Sequence, residues 1–597
     1  MSCHSTSVSD VEGEPIVEST AQREARLSRT KHNGLAPITR LPPEVLADIF
    51  VRCVPVCARA VQDLKWLNVA QVSSQWRSIA LACPNFWSTL VLACPNSIPV
   101  MLARSKMASL IVRAELKKLA MSPAPLLLEH AARLGTLELR APQQKLWRLM
   151  YDLADADAAP RLQGVKIVNT DMEEFLQGSC LWLLPDLFER SAVLNSRKTS
   201  MSLHLESCAF PWDSMWYSHL THLHLAHIHP VQRPTMKTFL GILLACPALE
   251  TLAMLSWSPT TRSGFAVDLP LLTALTLRCD TSYTCACLLG YLVIPPSATL
   301  DVQCRIENDS DLKDALYISL IPQLSEAPPR CDILHVDHGG ESVSISFADS
   351  EWTRKLSVSY AAMENLMLAE MLLEHLDLSS VSTLHLESFP EWDLSLTLWD
   401  MMGRDMRSLR TVHLHRSLPN TLLEFLLTQA LLILNISDHR SCFSRRGLGE
   451  LRGPGGAPTH AWPALTCLSL HGVNIGEATE PPKWDPPVPP RPAPADLLRA
   501  LLWARRQGHA RIWQLQIENC ENVFSADLGH FRLFAEVEYD GRGAKTVEKS
   551  EQDGEELDVY SLKVFADLME YSARMREYSE YLLRMRESPK RHAQGPT

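Results

Sequence analysis

The apolar positions of this chain follow two periods, and the switch between them divides it. Val45, Leu46, Ile49, Phe50 and Cys53 recur at the three- and four-residue spacing of one helix face. Pro42 and Pro43 stand just before them. A missing backbone N–H costs nothing there, because the first turn has no intrahelical acceptor for it. A second helical stretch is predicted near 66–72 and a third over 73–80, with Val72, Trp76, Ile79 and Cys83 on one face. Pro84 stops it, and Asn85, Phe86 and Trp87 close a helical module predicted over residues 37–92.

From about residue 93 a different frame recurs, Pro-x-Leu-x-x-Leu-x-apolar. It occurs as Pro247, Leu249, Leu252, Met254, then as Pro270, Leu272, Leu275, Leu277, and again as Pro463, Leu465, Leu468, Leu470. Without the proline it occurs as Leu220, Leu223, Leu225, as Val381, Leu384, Leu386 and as Leu409, Val412, Leu414. The last two apolar positions of each frame alternate, as in a short strand with every second side chain inward. Leu137-Leu139, Leu203-Leu205, Leu300-Val302, Leu334-Val336 and Leu515-Ile517 predict further strands. Between strands, 235–246 places Phe239, Leu240, Leu243 and Leu244 on one helix side, and Cys246-Pro247 ends that helix because the residue before proline avoids helical backbone.

A strand and a helix repeating every ~20–35 residues predict a leucine-rich solenoid. No single unit can bury its own apolar face, so units must stack. The expected fold class is α/β: a small N-terminal helical module, then an irregular leucine-rich-repeat-like solenoid over 93–530.

The flanks differ in composition. Residues 1–36 are rich in Ser, Thr, Glu and Arg without apolar periodicity and predict a disordered arm. Gly/Pro-rich loops are predicted near 445–460 and 481–495, the second favouring extended polyproline backbone. Over 531–597 the pattern predicts a strand, an acidic loop, and a helix near 559–586 that can cap the last repeat, followed by a loose tail.

Composition narrows the function classes. The chain has 597 residues, too many for one core, and its 46% hydrophobic content is ample for packing. A net charge of −11 argues against a nucleic-acid binder, which needs a basic face. No basic, apolar leader and no run of about 18 apolar residues occurs, so neither secretion nor membrane insertion is expected. The 16 scattered cysteines are expected as reduced thiols in cytoplasm or nucleus.

The module's motif is Leu41-Pro42-x-Glu44-Val45-Leu46-x-x-Ile49-Phe50, then Val72-Ser73-x-x-Trp76-Arg77-x-Ile79-Ala80, then Pro84-x-x-Trp87. These three blocks, in this order, resemble the F-box family. Together with irregular leucine-rich repeats they are similar to F-box proteins of mushroom-forming fungi. The resemblance implies a substrate-recognition subunit of a Skp-cullin-F-box type ubiquitin ligase. A Skp-type adaptor, and through it a cullin-RING ligase, would be one partner, and a target protein held by the solenoid the other. The adaptor-binding residues it implies are Leu41, Pro42, Val45, Leu46, Ile49, Val72 and Trp76, some of which must also pack the module's own core. The alternative is a repeat scaffold that engages no ubiquitin ligase. In leucine-rich repeats the position after Leu-x-Leu-x-x is Asn or Cys; Cys208 and Cys520 stand there, and Asp280 is a substitute.

No chemistry-bearing motif competes with this picture. His222 and His224 share a strand face and His227 and His229 follow, yet no paired cysteines accompany them, so a solvent-facing role is expected rather than a metal. No nucleophile elbow, phosphate loop or His-Glu-x-x-His pair occurs, so no catalytic residue, cofactor or metal is expected.

Overall fold

The computed structural model describes residues 37–54, 64–92, 95–115, 129–155, 162–171, 201–209, 215–256, 264–295, 297–305, 332–339, 342–348, 355–361, 376–387, 396–416, 420–433, 460–476 and 492–542, with a few isolated positions besides. The expected disordered arm, the 445–460 loop and the expected C-terminal helix lie almost wholly outside the described residues. Of the loop expected over 481–495 only 492–495 is described, and its last two residues, Pro494 and Ala495, already belong to a helix, because proline is accepted in a first helical turn. The chain divides into two compact units, Met1–Leu220 and Thr221–Thr597. The repeat frame alone did not mark this division.

The first unit opens with α1 (Pro43–Arg52) and α2 (Ser74–Ala82), each followed by a 3-10 turn, Lys65–Gln71 and Pro84–Trp87. Pro43 occupies the first turn of α1, as its missing N–H requires. Ser73 caps α2, its Oγ accepting from the Trp76 N–H at 3.1 Å. Two residues after Trp87 the chain enters β1 (Thr89–Val91), so the sheet starts inside the span expected to be wholly helical.

Next come α3 (Ile98–Ser105), β2 (Leu110–Glu115), β3 (Leu134–Ala141), α4 (Gln143–Asp155), β4 (Gly164–Asn169) and β5 (Met201–Glu206). Strands β1 to β5 pair in parallel in chain order. One inward row runs in register through Leu90, Val112, Leu137, Val165 and Leu203, each at most 2% exposed. Each such side chain contributes roughly 1.5–3 kcal/mol on burial, which is what fixes the register.

The second unit continues the scheme. Strand β6 (Leu220–Ala226) spans the boundary; α5 (Met236–Leu244), β7 (Thr251–Leu255), β8 (Ala274–Cys279), α6 (Ser282–Tyr291) and β9 (Thr299–Arg305) follow. Leu223, Leu252, Leu275 and Leu300 face one another across parallel strands. Thr235 and Thr281 cap the two helices by accepting from the backbone N–H three residues on.

The progression then reverses. Strands β10 (Ile333–Gly339), β11 (Ser342–Ala348) and β12 (Lys355–Ala361) form an antiparallel meander, and it is β12, not β10, that pairs with β9. Gly339 and Ser342, the ends of β10 and β11, are register partners. The Gly339-Gly340 pair in the sequence is a hairpin signal that the leucine frame overlooks. Strand β10 then pairs in parallel with β13 (Thr383–Glu387).

Beyond it, α7 (Leu396–Asp405), β14 (Thr411–His415), α8 (Asn420–Ile433), β15 (Cys467–His471), α9 (Pro494–Gln507), β16 (Gln514–Glu518), α10 (Ser525–Arg532) and β17 (Glu536–Tyr539) resume the parallel order. Trp399 and Trp462, both fully buried, meet edge-to-face at 6.3 Å, and the Trp462 indole N–H donates to the Met402 carbonyl at 3.0 Å.

A left-handed residue follows many of these strands directly: Ser207, His227, Ser256, Arg416, Gly472 and Asn519, with φ between 51° and 64°. Only Gly472 adopts this backbone without a steric cost. The next position carries the expected cysteines. The Cys208 thiol lies 3.6 Å from the Ile167 carbonyl, and Cys520 lies 3.5 Å from Leu470 O, each reaching back to the preceding strand. Asp280 does not play this part. It is exposed and pairs with Arg233 at 3.7 Å, while its neighbour Cys279 is buried. Its charge makes the buried position costly.

Candidate functional site

Two arrangements stand out, one in each unit. In the first unit, Phe50 and Phe86 are fully buried, and Trp66 and Trp87 nearly so. Phe50 meets Trp76 at 5.0 Å and Phe86 at 6.2 Å, and Phe86 meets Trp66 edge-on at 4.8 Å. Trp87 closes the cluster against Phe86 at 5.3 Å and carries the Arg104 guanidinium 4.4 Å above its ring. The Arg77 Nε–H donates to the Ala70 carbonyl at 3.0 Å, fastening α2 to the preceding turn. An open cavity of about 430 Å³ beside Trp87 is lined by Leu67, Arg77, Leu81, Val100 and Arg104 among others.

The residues implied by the F-box resemblance separate here. Leu46 is fully buried and packs the module with Phe50, so its side chain is not presented to a partner. Leu41, Ile49 and Trp76 are half-buried, and Pro42 is exposed. Val45 and Val72 are 44% and 55% exposed, on α1 and just before α2. Leu81 and Ile38, which the motif did not single out, are also exposed apolar groups of the module, at 40% and 39%.

In the second unit, strand alternation aims one set of side chains away from the leucine core. There the register stacks histidines: His335, His385 and His413 are successive partners across β10, β13 and β14. Two residues along, Glu387, His415, His471 and Glu518 are successive partners across β13 to β16. The His385 and His413 rings stack at 4.4 Å, His415 lies 6.0 Å from His385, and His471 lies 5.4 Å from His415. Glu387 reaches His335 Nε2 at 3.4 Å with one oxygen and Arg416 at 3.7 Å with the other.

Burial and mutual repulsion disfavour the charged forms of His385, His413 and His415. Burial, and then the rings of His413, His335 and His415, push His385 down to about 4. Burial and His415 hold His413 below the ordinary imidazole value, against an opposing pull from Glu518. Burial and His471 lower His415 likewise, with Glu387 opposing.

His222 and His224, the pair that sequence spacing singles out, are not members of this ladder. The structure gives His222 a partner, Thr251 Oγ1 at 2.8 Å from its Nδ1. Aligning the frames Leu384-His385-Leu386 and Val412-His413-Leu414 one under the other would have exposed the ladder, since both histidines sit between the two inward residues.

Comparison with known proteins agrees with the first unit's geometry. Residues 38–93 match the F-box-like family. No curated protein matches the sequence. Among solved structures, the leucine-rich repeat-containing protein LegL7 from Legionella pneumophila covers 60% of this chain and 89% of its own, at 12% identity and a TM-score of 0.23. The chain is thus a mixed α/β protein, with N-terminal F-box-like helices followed by parallel repeat strands. Among the described residues no helix is long and apolar enough to cross a membrane.

Proposed function

We propose that this chain is the substrate-recognition subunit of a Skp-cullin-F-box type ubiquitin ligase. The F-box-like module docks to a Skp-type adaptor, which links it to a cullin-RING ligase, and the leucine-rich repeats hold a target protein. The protein does no bond chemistry in this reading. It raises the effective concentration of the target at the charged ubiquitin carrier. The repeat pattern's similarity to F-box proteins of mushroom-forming fungi, and a site of action in cytoplasm or nucleus, belong to the same reading.

One observation carries it: the segment matching the F-box-like family leaves Val45 and Val72 exposed while an aromatic cluster fills its interior. Half-exposed apolar groups on a packed small module gain roughly 1 kcal/mol each when a partner covers the surface still open. The test uses the full chain and an immobilised Skp-type adaptor, beside Val45→Asp and Val72→Asp variants whose fold is checked by circular dichroism. Wild-type binding that is lost in the folded variants supports the proposal. A folded wild type that ignores the adaptor overturns it and leaves a repeat scaffold without a ligase.

A further inference from the structure

The polar face of the repeat strands carries a donor set of its own, independent of adaptor docking. We infer that His385, His413 and His415 form a binding site for one transition-metal ion of the zinc class. Their ligand nitrogens all lie within 4.8 Å of one another. A tetrahedral ion with Zn–N bonds of about 2.0–2.1 Å needs these atoms somewhat closer, a gap that side-chain rotation on a fixed backbone closes.

The backbone is fixed by the sheet. His385 and His413 are direct register partners on adjacent parallel strands. His415 follows His413 by two residues, so alternation returns it to the same face. Each neighbouring strand is anchored by Leu384, Leu386, Val412 and Leu414, none more than 1% exposed. The three donors therefore come from rigid elements rather than loops, which is what a precise site needs.

The donor chemistry selects the ion. Three imidazoles without thiolate favour zinc, copper or nickel over calcium or magnesium. The rings are half-buried, so water competes less for the ion than on an open surface. Glu387 and His471 flank the set, one on the strand of His385 and one beside His415, and either can supply a further ligand or orient a bound water. Arg416, φ 64°, turns the chain away immediately after His415.

The test takes the tag-free, chelator-stripped full chain. Zn2+ is titrated against a chromophoric indicator, and Co2+ is followed by its visible absorption, which reports coordination number. His413→Gln and His415→Gln remove ligands separately, and His222→Gln is the control histidine on another strand. We expect one equivalent bound by the wild type and by His222→Gln. Affinity should fall by at least about tenfold in each ligand variant, since even outer-shell changes cost that much. Circular dichroism checks each variant, and either folded ligand variant suffices to decide. No saturable binding by the wild type, or equal binding by a folded His413→Gln or His415→Gln chain, overturns the inference.

Discussion

Trp87 donates its indole N–H to the carbonyl oxygen of Ala80 at 2.7 Å. That oxygen lies in the last turn of α2, where helical carbonyls have no intrahelical donor, and it also receives the Cys83 N–H. One bond thus joins the second and third blocks of the F-box-like motif, and it explains why a tryptophan stands at this position. Trp87→Phe keeps most of the ring but removes the donor. It should cost about 1 kcal/mol. Trp87→Ala, which also empties a nearly buried site, should cost about 3–5 kcal/mol. Hydrogen exchange of the amides over 43–92 in the full chain measures this locally. Unchanged protection in Trp87→Phe would show that the bond carries no stability.

A second internal fastening is cationic. Arg505 on α9 is 1% exposed, and its guanidinium donates to the carbonyls of Ala510, Ala461 and Trp462 at 3.0, 2.9 and 2.9 Å. Burial lowers it to about 10, so it stays charged at neutral pH. A flat, forked donor can serve three carbonyls at once, whereas an ammonium presents a single point. Arg505→Lys should therefore destabilise by about 2–3 kcal/mol. A urea-denaturation midpoint equal to that of the wild type would contradict the shared-donor account.

The cysteines offer a test of packing without mutation. Cys53 is exposed, while Cys208, Cys246, Cys285 and Cys520 are buried. Burial pushes the Cys246 thiol up to about 12 and raises Cys520 as well. For Cys285, hydrogen bonding with Cys279 and Cys304 acts first, and burial adds to it. Only the thiolate reacts with alkylating reagents, so these groups should be inert in the native state. Brief iodoacetamide treatment at neutral pH, read by mass spectrometry, should label Cys53 well ahead of the buried four. Early labelling of Cys246 would contradict its burial just past the C-terminal end of α5.

These residues also show what was legible in the sequence. The leucine frames located strands correctly, because Leu-x-Leu alternation and burial are the same fact seen twice: Leu252 and Met254, or Leu468 and Leu470, are at most 1% exposed. Cys208 and Cys520 were found by position in the repeat, since the turn geometry there demands a small donor. The reversed order of β10, β11 and β12 was not legible from leucines, because an inward Leu-x-Val looks alike in parallel and antiparallel strands. The histidine ladder escaped because its members stand 28 residues or more apart between strands, as with His385 and His413. Only stacking of the repeats makes them neighbours. Leu46 shows the converse: a helix stripe tells which side chains cluster but not which face a partner takes.

His460 gives the pH-dependent prediction. It is 6% exposed, and its Nε2 lies 2.9 Å from the Gly508 carbonyl, so the neutral ring donates there. Its Nδ1 is buried without a partner among the described residues. Burial first, and then nearby Arg505, push it from 6.5 down to about 4, with the Gly508 bond opposing. A group depressed on folding binds its proton more tightly in the unfolded chain. Its stabilising contribution is therefore complete above about pH 6.5 and is lost as pH falls toward about 4. The loss amounts to at most about 3 kcal/mol. Comparing wild type with His460→Gln by hydrogen exchange over 494–510 isolates it from other titrating groups. The stability difference between the two should shrink across that window and stay flat above it. Gly508→Ala tests the same contact sterically, because an added Cβ would run into the His460 ring. It should destabilise by about 1–3 kcal/mol at neutral pH. A flat pH difference together with a tolerated alanine would mean that the ring does not sit against Gly508.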